Sequence, residues 1–457
     1  MFSRILIANR GEIALRVVRA ARDLGIDSVA VYSEADAESL HVRHADQSVC
    51  IGPPVSAKSY LNVEAIIEAA RKTGAEAVHP GYGYLAESGE FARACRDAGL
   101  VFIGPTPETL ELAGDKIKAK TIIEKAGVPV IPSSPGGVGS VDEAAAFASE
   151  IGYPVMIKAS AGGGGRGIRI CADEEVLRED FSIAKAEVRA AFGDDSLYVE
   201  KCLIDPRHIE FQVLADEFGS VIHLGERECS IQRRYQKLIE ESPSTAVTTR
   251  LREDMGRAAI DAARAVDYFN AGTVEFLLDR EGNFYFMEIN ARIQVEHPVT
   301  EMVTGVDLVK EQIRLASRGK LDYSFDDLNH KGWAIECRIN TEDPNLNFMP
   351  SPGTIEEYNP PGGFGVRLDT HLYQGYALPV YYDSLAAKLI GYDLTRDRAI
   401  RVLKRALSEF IIEPVKTTIP LYLKIIDDAA FREGDIHTGY IKKFVPDDDD
   451  DDEEDDD

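Results

Sequence analysis

Short apolar runs alternate with helical stretches over the first hundred residues. The strand-like runs are 4–8, 28–32, 77–79 and 100–103, and helical spacing is found at 12–24, at 63–73 and again before the last run. Strands that alternate with helices in this way are typical of a parallel, doubly wound sheet. The pattern therefore predicts an N-terminal α/β domain.

The pattern changes after a segment rich in proline and glycine at 129–137. Short strand-like runs flank a glycine-rich loop between 153 and 212. Alternation of the β type dominates from 221 to 296, with one helix near 252–266. The C-terminal part mixes strands with a helix near 396–410. We therefore expect an α+β architecture in the rest of the chain.

Two strands near residue 280 carry glutamates that would face each other. If they form a hairpin with a four-residue loop, Asp279 pairs with Phe284, and the same register sets Glu275 opposite Glu288. Like charges across a strand pair are destabilising, and a divalent cation between them removes this cost. Asn290 adds an oxygen on the same face, so the pattern predicts a Mg²⁺ or Mn²⁺ site. Two solvated glutamates on an exposed face are the alternative.

The polar series continues past the second strand. Phe286 has the parity of Glu288 and makes that face partly apolar, and Arg292, Gln294 and Glu296 follow at the same parity. A cation, an amide and a carboxylate together suit the binding and deprotonation of a small oxyanion. This argument holds only as far as the strand itself continues.

A strand ending at Lys158 leads into a loop that suits phosphate. Glycines let backbone N–H groups wrap phosphate oxygens, and the lysine adds a charge. The pattern is neither a P-loop nor a dinucleotide fingerprint, and a flexible hairpin tip is the alternative. The central glycines of the loop are Gly163, Gly164 and Gly165.

Three further basic features have less specific signals. Lys116 follows Asp115, a candidate helix cap, and a helix N-terminus attracts anions, although a plain exposed lysine fits as well. The basic segment 230–237 is either functional or surface. Arg338 lies in a strand-like run, where a buried salt bridge is the alternative to a functional role.

Charge and cysteine usage narrow the class of protein. The net charge is −27, and residues 447–457 are eleven consecutive acidic residues, which we expect to be disordered. The remaining chain is still acidic, which disfavours nucleic acid as a partner. No apolar run reaches 18 residues and no signal peptide is recognisable, so we expect no membrane association. Six scattered cysteines without a CxxC pair indicate a reducing compartment, the cytoplasm.

Several longer motifs together carry a resemblance to a known family. They are Ile7–Ala14 (IANRGEIA), His79–Glu87 (HPGYGYLAE), Met287–Met302 (MEINARIQVEHPVTEM), and Glu336–Asn340 (ECRIN) with Pro350–Gly353 (PSPG). With them, the sequence resembles the biotin carboxylase subunits of acetyl-CoA, propionyl-CoA or pyruvate carboxylases, within the ATP-grasp superfamily. The resemblance covers nearly the whole chain, to about Lys443.

The resemblance implies both a domain organisation and a reaction. It implies an N-terminal domain at 1–114, an ATP-grasp region at 115–316 with a lid at about 131–203, and a C-terminal domain at 317–446. The implied substrates are MgATP (or MnATP), bicarbonate and biotin, which react through carboxyphosphate. The implied partners are a second copy of the chain, a biotinylated carrier protein and a carboxyltransferase subunit.

The resemblance also assigns roles to single residues, each at a matching position of a motif. For ATP these are Lys116, Lys158, the loop glycines, Glu200, Lys201, Leu203, His208, Gln232 and Tyr235. For the metal they are Glu275 and Glu288, with Asn290 beside them. For bicarbonate they are Lys237, Arg292, Gln294, Val295 and Glu296, with Glu296 as the general base. For biotin they are Arg338, which would stabilise the enolate, and Tyr82.

Two departures from the family pattern affect only details. Tyr235 replaces a histidine, which leaves the details of nucleotide contact open, and Ala161 replaces a glycine at the edge of the loop. Two other classes of function stay possible on the residues alone. One is a ligase that makes an acyl phosphate for an amine, and the other is a non-catalytic nucleotide-binding subunit. The final carboxyl acceptor does not follow from the sequence. The sequence contains no AMKM-type biotin site, so we expect the chain to act on biotin carried by another protein.

Overall fold

The first hundred residues form a parallel sheet with the strand order β3-β2-β1-β4-β5. The structure is a computed structural model, and it describes residues 1–159, 169–192 and 196–445. The loop glycines Gly163, Gly164 and Gly165 and the acidic tail therefore lie outside the described residues. The predicted parallel α/β domain is confirmed. Its elements are β1 (Arg4–Ile7), α1 (Gly11–Asp23), β2 (Asp27–Ser33), α2 (Leu40–His44), β3 (Gln47–Gly52), α3 (Val63–Thr73), β4 (Ala77–His79), α4 (Gly89–Asp97), β5 (Val101–Phe102) and α5 (Pro107–Gly114).

A small antiparallel sheet with two helices follows and has its own core. The strand order is β7-β6-β8, and the apolar faces of α7 and α8 pack on it. Before it, Asp115 caps the helix that begins at Lys116 by accepting from Lys118 N, as predicted. The elements are α6 (Lys116–Lys125), α7 (Val141–Ile151), β6 (Val155–Ala159), β7 (Arg169–Cys171), α8 (Glu174–Phe192) and β8 (Leu197–Lys201).

The largest layer is an eight-stranded sheet of order β13-β12-β9-β10-β11-β14-β19-β18, antiparallel throughout. Its first five strands come from the middle of the chain, where α9 packs on β9 and β10. The elements of this part are β9 (Arg207–Ala215), β10 (Val221–Arg233), β11 (Gln236–Ser242), α9 (Thr249–Ala265), β12 (Asn270–Leu278), β13 (Phe284–Asn290), α10 (His297–Thr304) and α11 (Leu308–Ala316).

The last three strands of the same sheet come from the C-terminal part. The resemblance places a domain boundary between residues 316 and 317. The eight-stranded sheet contains strands from both sides of this boundary. The C-terminal core packs α12 and α13 against it. The elements are β14 (Trp333–Asn340), β15 (Glu342–Asp343), β16 (Met349–Pro350), β17 (Glu357–Asn359), β18 (Val366–Thr370), β19 (Leu385–Asp393), α12 (Arg396–Glu409), β20 (Ile411–Glu413), α13 (Ile419–Asp427) and α14 (Ala429–Glu433).

The fold class therefore agrees with the prediction of a parallel α/β domain followed by mixed α+β structure. The sequence pattern did not predict eight of the helices, which are α2, α5, α7, α8, α10, α11, α13 and α14. Among the described residues, no helix combines the length and the apolar character that crossing a lipid bilayer requires.

Candidate active site

A cavity of about 1000 Å³ opens between the N-terminal domain and the eight-stranded sheet. Segments from β10, β11, β12, β13 and β14 form its wall on the sheet side, and the loop after β4 contributes from the N-terminal side. Most of the predicted site residues meet here although they come from distant parts of the sequence. On the wall are Tyr82, Lys116, His208, Gln232, Tyr235, Lys237, Glu275, Glu288, Asn290, Arg292, Gln294, Val295 and Arg338.

The hairpin β12–β13 confirms the predicted pairing of Glu275 with Glu288, but the register near the turn differs from the prediction. Phe284 pairs with Leu278 instead of Asp279, so the outer part of the predicted register is wrong. A β-bulge between the two halves of the hairpin inserts Met287 and restores the register. The bulge also corrects the predicted faces, because Phe286 packs in the core while Met287 and Glu288 both line the cavity.

Glu275 is buried and surrounded by donors. Its Oε1 accepts from Lys237 Nζ at 2.8 Å, Asn290 Nδ2 at 2.9 Å and Gln294 Nε2 at 3.0 Å, and its Oε2 lies 2.9 Å from His208 Nε2. Burial would raise the pKa of Glu275, but Lys237 and His208 outweigh it and hold this pKa well below its usual value. Glu275 is therefore a carboxylate at neutral pH.

The donor set at the hairpin fits a hard divalent cation. Glu275 and Glu288 present carboxylate oxygens from adjacent strands, and positive charge already stands beside them, since Lys116 Nζ lies 2.7 Å from Glu288 Oε2. Asn290 is oriented differently from the prediction. Its amide nitrogen donates to Glu275, and its oxygen accepts from Arg292 Nη2 at 3.1 Å, so its role as a metal ligand stays a prediction.

Lys237 links three buried carboxylates at the floor of the cavity. Besides Glu275, its ammonium group contacts Glu210 Oε2 at 2.5 Å and Glu296 Oε1 at 2.6 Å. Burial lowers the pKa of Lys237, but the three carboxylates raise it well above its usual value. Glu296 is fully buried behind the cavity wall. Burial would raise the pKa of Glu296, whereas Lys237 and Arg338 lower it, and the net result is a lowered pKa.

The strand β13 ends at Asn290, so the parity argument does not reach the three polar residues after it. They nevertheless gather at the same place, because the segment turns back into α10. Arg292 Nη1 donates to Gln294 Oε1 at 2.9 Å, and its Nε donates to Glu87 Oε2 at 2.8 Å. Glu296 stands at the N-terminus of α10. This segment and the bulged strand together form a polar corner of the cavity.

Arg338 reaches this corner from β14. Its Nη2 donates to Glu296 Oε2 at 3.0 Å and its Nε to Glu240 Oε1 at 2.5 Å. The salt bridge that the sequence left open as an alternative is therefore present, and the role of Arg338 at biotin stays a prediction. Tyr82 lies across the cavity, where its hydroxyl donates to Glu12, and burial raises the pKa of this phenol well above its usual value.

The predicted ribose and base residues lie at the upper wall. Gln232 and His208 are buried and contact each other through Nε2 and Nδ1 at 3.0 Å. Tyr235 is 74% exposed and stands with Arg234 in the left-handed turn between β10 and β11. An exposed phenol at this rim can stack on a planar ring.

Four predicted nucleotide residues are not on the cavity wall. Lys158 contacts Glu200, whose other oxygen lies 3.0 Å from Lys120 Nζ. Lys201 points away, since its Nζ donates to the carbonyls of Gly152 and Tyr153 at 2.8 and 2.9 Å. Leu203 follows β8 and has no contact with the cavity wall. These residues belong to the small antiparallel sheet, so their roles stay predictions.

Sequence reasoning missed several buried charges that hold the site. Arg227 is fully buried and donates to Glu210, which in turn holds Lys237. Lys388 is fully buried as well, and its Nζ donates to Val295 O at 3.0 Å and lies 3.2 Å from Glu12 Oε1. The available signal was a charged residue inside an apolar strand run, such as Glu210 in Arg207–Ala215.

Three family models together match most of the chain. Residues 1–110 match the N-terminal domain of biotin carboxylase, residues 115–324 match the ATP binding domain of the carbamoyl-phosphate synthase L chain, and residues 336–443 match the C-terminal domain of biotin carboxylase. The matches follow one another along the chain without overlap.

Known proteins resemble the chain over nearly its full length. Biotin carboxylase 1 of Bacillus subtilis is 55% identical over 97% of this chain and 99% of that protein. A pyruvate carboxylase subunit of Methanothermobacter thermautotrophicus is also 55% identical, over 97% of this chain and 90% of that protein.

A solved structure agrees with the fold. It is the biotin carboxylase domain dimer of the Hydrogenobacter thermophilus 2-oxoglutarate carboxylase, in complex with MgADP, ADP and bicarbonate. The identity is 51%, the TM-score is 0.90, and the match covers 97% of this chain and 98% of that one. With the buried carboxylates, the lysines and the hairpin in place, the chain belongs to the biotin carboxylase family, ATP-grasp enzymes that carboxylate biotin with bicarbonate and ATP.

Proposed function

We propose that the cavity is the active site of this carboxylation and that Glu296 is its general base. The observation that carries the proposal is the environment of Glu296. Its carboxylate is buried and ionised, held by Lys237 at 2.6 Å and Arg338 at 3.0 Å, beside the polar corner of Arg292 and Gln294. A fixed, desolvated carboxylate next to an anion-binding corner is suited to take the proton of bicarbonate.

The other predicted residues then bind the anions. Arg292, Gln294 and Val295 hold bicarbonate against Glu296, and Lys388 keeps the Val295 carbonyl in place from behind. Deprotonated bicarbonate attacks the γ-phosphate of ATP, the bond from the γ-phosphorus to the bridging oxygen breaks, and carboxyphosphate and ADP are formed. Lys116 and Lys158 exchange their carboxylate partners for phosphate oxygens, which neutralises charge on the nucleotide.

The hairpin is the proposed metal site. Glu275 and Glu288 hold Mg²⁺ or Mn²⁺, with Asn290 beside them, and the bound ion supplies charge neutralisation at the phosphates. His208, Gln232 and Tyr235 contact the nucleotide from the sheet side. Glu200, Lys201, Leu203 and the loop glycines Gly163, Gly164 and Gly165 contact it from the lid.

Biotin occupies the side of the cavity nearest Arg338 and Tyr82. Carboxyphosphate breaks down to CO₂ and phosphate, and the phosphate takes the N1 proton of biotin. The Arg338 guanidinium stabilises the negative charge that develops on the ureido oxygen. Closure of the lid excludes water from the labile intermediate.

The partners and the organisation of the chain belong to the same proposal. Biotin arrives on a biotinylated carrier protein, and a carboxyltransferase subunit takes up the carboxyl group. The chain works as a homodimer in the cytoplasm, with functional domains at 1–114, 115–316 and 317–446. In support, one relative is named as a subunit of a pyruvate carboxylase and one solved relative is a dimer. These relatives belong to carboxylases with different final carboxyl acceptors, so they do not identify the acceptor.

The test uses labelled bicarbonate and free biotin. The chain should form labelled carboxybiotin only with MgATP, and Glu296→Gln, which keeps the size of the side chain, should abolish bicarbonate-dependent ATP hydrolysis. The matched control is Glu281→Gln, because Glu281 is exposed in the hairpin turn. Glu301 is unsuitable as a control because it pairs with Arg16. Hydrolysis by Glu296→Gln at the rate of Glu281→Gln would refute the assignment.

A further inference from the structure

Two buried glutamates stand side by side behind Arg338. Glu240 on β11 and Glu336 on β14 are directly opposite each other in the antiparallel register, so their side chains leave the same face of the sheet. Both are fully buried. α10, which begins after Glu296, packs against the same strands. The sheet therefore holds two carboxyl groups together where water does not reach them.

The hydrogen bonds around this pair are too few for two carboxylates. Glu240 Oε1 accepts from Arg338 Nε at 2.5 Å. Over the part of the chain that the structure describes, Glu240 Oε2 and both carboxyl oxygens of Glu336 are buried without a hydrogen-bond partner. The ammonium group of Lys388, on the next strand, is engaged by the Val295 carbonyl and by another carboxylate. The charged groups that face the pair are Lys237, Glu296, Arg338 and Lys388.

A shared proton resolves this arrangement. Two like charges at directly opposite strand positions in a buried site cannot both be ionised at low cost, whereas a protonated carboxyl can donate to its ionised neighbour. Burial raises the pKa of Glu240 to about 7, against the lowering effect of Arg338. Burial also raises the pKa of Glu336 well above its ordinary value. The two groups titrate as one unit.

The charge of this pair acts directly on Arg338. The guanidinium already contacts Glu296, so its surroundings contain Glu240, Glu296 and Glu336. With one shared proton the pair carries a single negative charge, and with none it carries two. Each added negative charge beside the guanidinium weakens its attraction for an oxyanion in the cavity.

We propose that Glu240 and Glu336 form a carboxyl pair that shares one proton, and that Glu240 is a positioning residue for Arg338. The bond from Nε to Glu240 fixes the plane of the guanidinium, so that Nη2 meets Glu296 and the remaining N–H groups face the cavity. The shared proton keeps the charge behind Arg338 low enough for Arg338 to stabilise the biotin enolate. This inference rests on the role proposed above for Arg338 at biotin.

The first experiment measures pH dependence. The rate of carboxylation of free biotin is divided by the rate of bicarbonate-dependent ATP hydrolysis without biotin, from about pH 6 to about pH 9. In the unaltered chain this ratio should fall at the alkaline end, as the pair loses its proton. Glu336→Gln should flatten the alkaline fall, because the amide still donates to Glu240 but cannot lose a proton. Glu336→Asp keeps an ionisable group and should keep the fall. A Glu336→Gln profile that follows the unaltered chain would overturn the inference.

The second experiment isolates the positioning role. Glu240→Gln should lower biotin carboxylation about tenfold more than ATP hydrolysis, the value of a charge-assisted hydrogen bond to Arg338. Equal losses in both activities would count against the positioning role. Infrared spectroscopy gives an independent readout that needs no activity. The carbonyl band of a protonated buried carboxyl should be present in the unaltered chain and absent in Glu336→Gln, and its absence from the unaltered chain would refute the shared proton.

Arg338→Ala separates this inference from the proposed function. If that variant loses both activities equally, the biotin role of Arg338 fails, and the positioning role of Glu240 fails with it. If it loses carboxylation selectively while Glu336→Gln keeps the unaltered pH profile, only the carboxyl pair is refuted.

Discussion

Replacing Arg338 with alanine should affect the two half-reactions differently, and the structure gives the reasons. Arg338 makes two charge-assisted hydrogen bonds, at 2.5 Å to Glu240 and at 3.0 Å to Glu296. Its loss removes the donor that we propose for the biotin enolate, which corresponds to about 10²–10³ in carboxylation rate. It also removes one of the three cations, Lys237, Arg338 and Arg227, that lower the pKa of Glu296.

The second effect predicts a change in the pH profile of ATP hydrolysis. Glu296 acts as a base only when ionised, that is, above its pKa. With Arg338 absent, Lys237 and Arg227 still oppose the effect of burial, but one cation fewer acts on Glu296, so the pKa of Glu296 rises. The acid limb of bicarbonate-dependent ATP hydrolysis should therefore move to higher pH, while the rate at the plateau falls much less than carboxylation does.

The free energy of unfolding should fall as well. Removing one partner of a buried ion pair costs about 3–5 kcal/mol. Part of that cost is recovered, because Glu240 has a pKa of about 7 and takes up a proton once its cation is gone. We therefore expect the lower end of that range in urea titrations near neutral pH. Arg338→Lys is the matched control, since it retains the charge but not the planar fork.

The assay follows labelled carboxybiotin and released phosphate in parallel. The reasoning predicts a large selective loss of carboxybiotin with a displaced acid limb for phosphate release. Equal losses of both products across the pH range, with an unmoved acid limb, would refute both the biotin role and the electrostatic contact with Glu296.

Three further predictions concern the metal, the bicarbonate segment and the carrier. Glu288→Gln should lower ATP turnover at limiting Mg²⁺ by about two orders of magnitude, because one of two opposed carboxylates is lost, and turnover equal to that of Glu281→Gln would contradict the metal site. Lys388→Met should raise the KM for bicarbonate about tenfold, with less effect on the KM for ATP, because Lys388 holds the Val295 carbonyl at 3.0 Å. Steady-state kinetics with both substrates varied measures the two constants, and an equal change in both would contradict this role. A biotinylated carrier protein should be carboxylated faster than free biotin at the same concentration, and equal rates of label incorporation would argue against a carrier-binding surface.

Local sequence patterns predicted the helices and strands whose bounds are set by residues within the element or directly next to it. The helix Val63–Thr73 and the strand Ala77–His79 have the predicted bounds, because their periodicity is clear and a cap or a turn follows. The Asp115 cap was predictable for the same reason, since a capping side chain reaches only a few residues along the chain.

The hairpin shows where periodicity stops being informative. The pairing of Glu275 with Glu288 is correct, but the face of Phe286 is not, since a single bulged residue at Met287 reverses the alternation and leaves no mark in the pattern of apolar residues. The helix α10 was missed because it begins directly after the polar series that ends at Glu296.

The charges that support the site could not be predicted from a local pattern at all. Lys388 is about 90 residues from Val295 in the sequence, and Glu240 and Glu336 meet only because β11 and β14 are neighbours in the sheet. Such contacts depend on the strand order, which pairs strands from the two sides of the expected boundary at residue 316. Family resemblance supplied the role of Arg338, but the carboxyl groups behind it are visible only in the fold.

The contact between Lys116 and Glu288 has a thermodynamic consequence for the affinities of the nucleotide and the metal ion. In the roles proposed above, a metal ion competes with Lys116 for the Glu288 carboxylate, and a phosphate competes with Glu288 for the Lys116 ammonium group. A nucleotide that draws Lys116 away leaves Glu288 free for the cation, and a cation at Glu288 leaves Lys116 free for the nucleotide. By reciprocity, each ligand then raises the affinity for the other by the same factor. With the proposed roles of Lys116 and Glu288, the ion pair would couple the two ligands heterotropically. Titrations of the nucleotide with and without Mg²⁺ should then give two dissociation constants whose ratio equals that for Mg²⁺ with and without nucleotide.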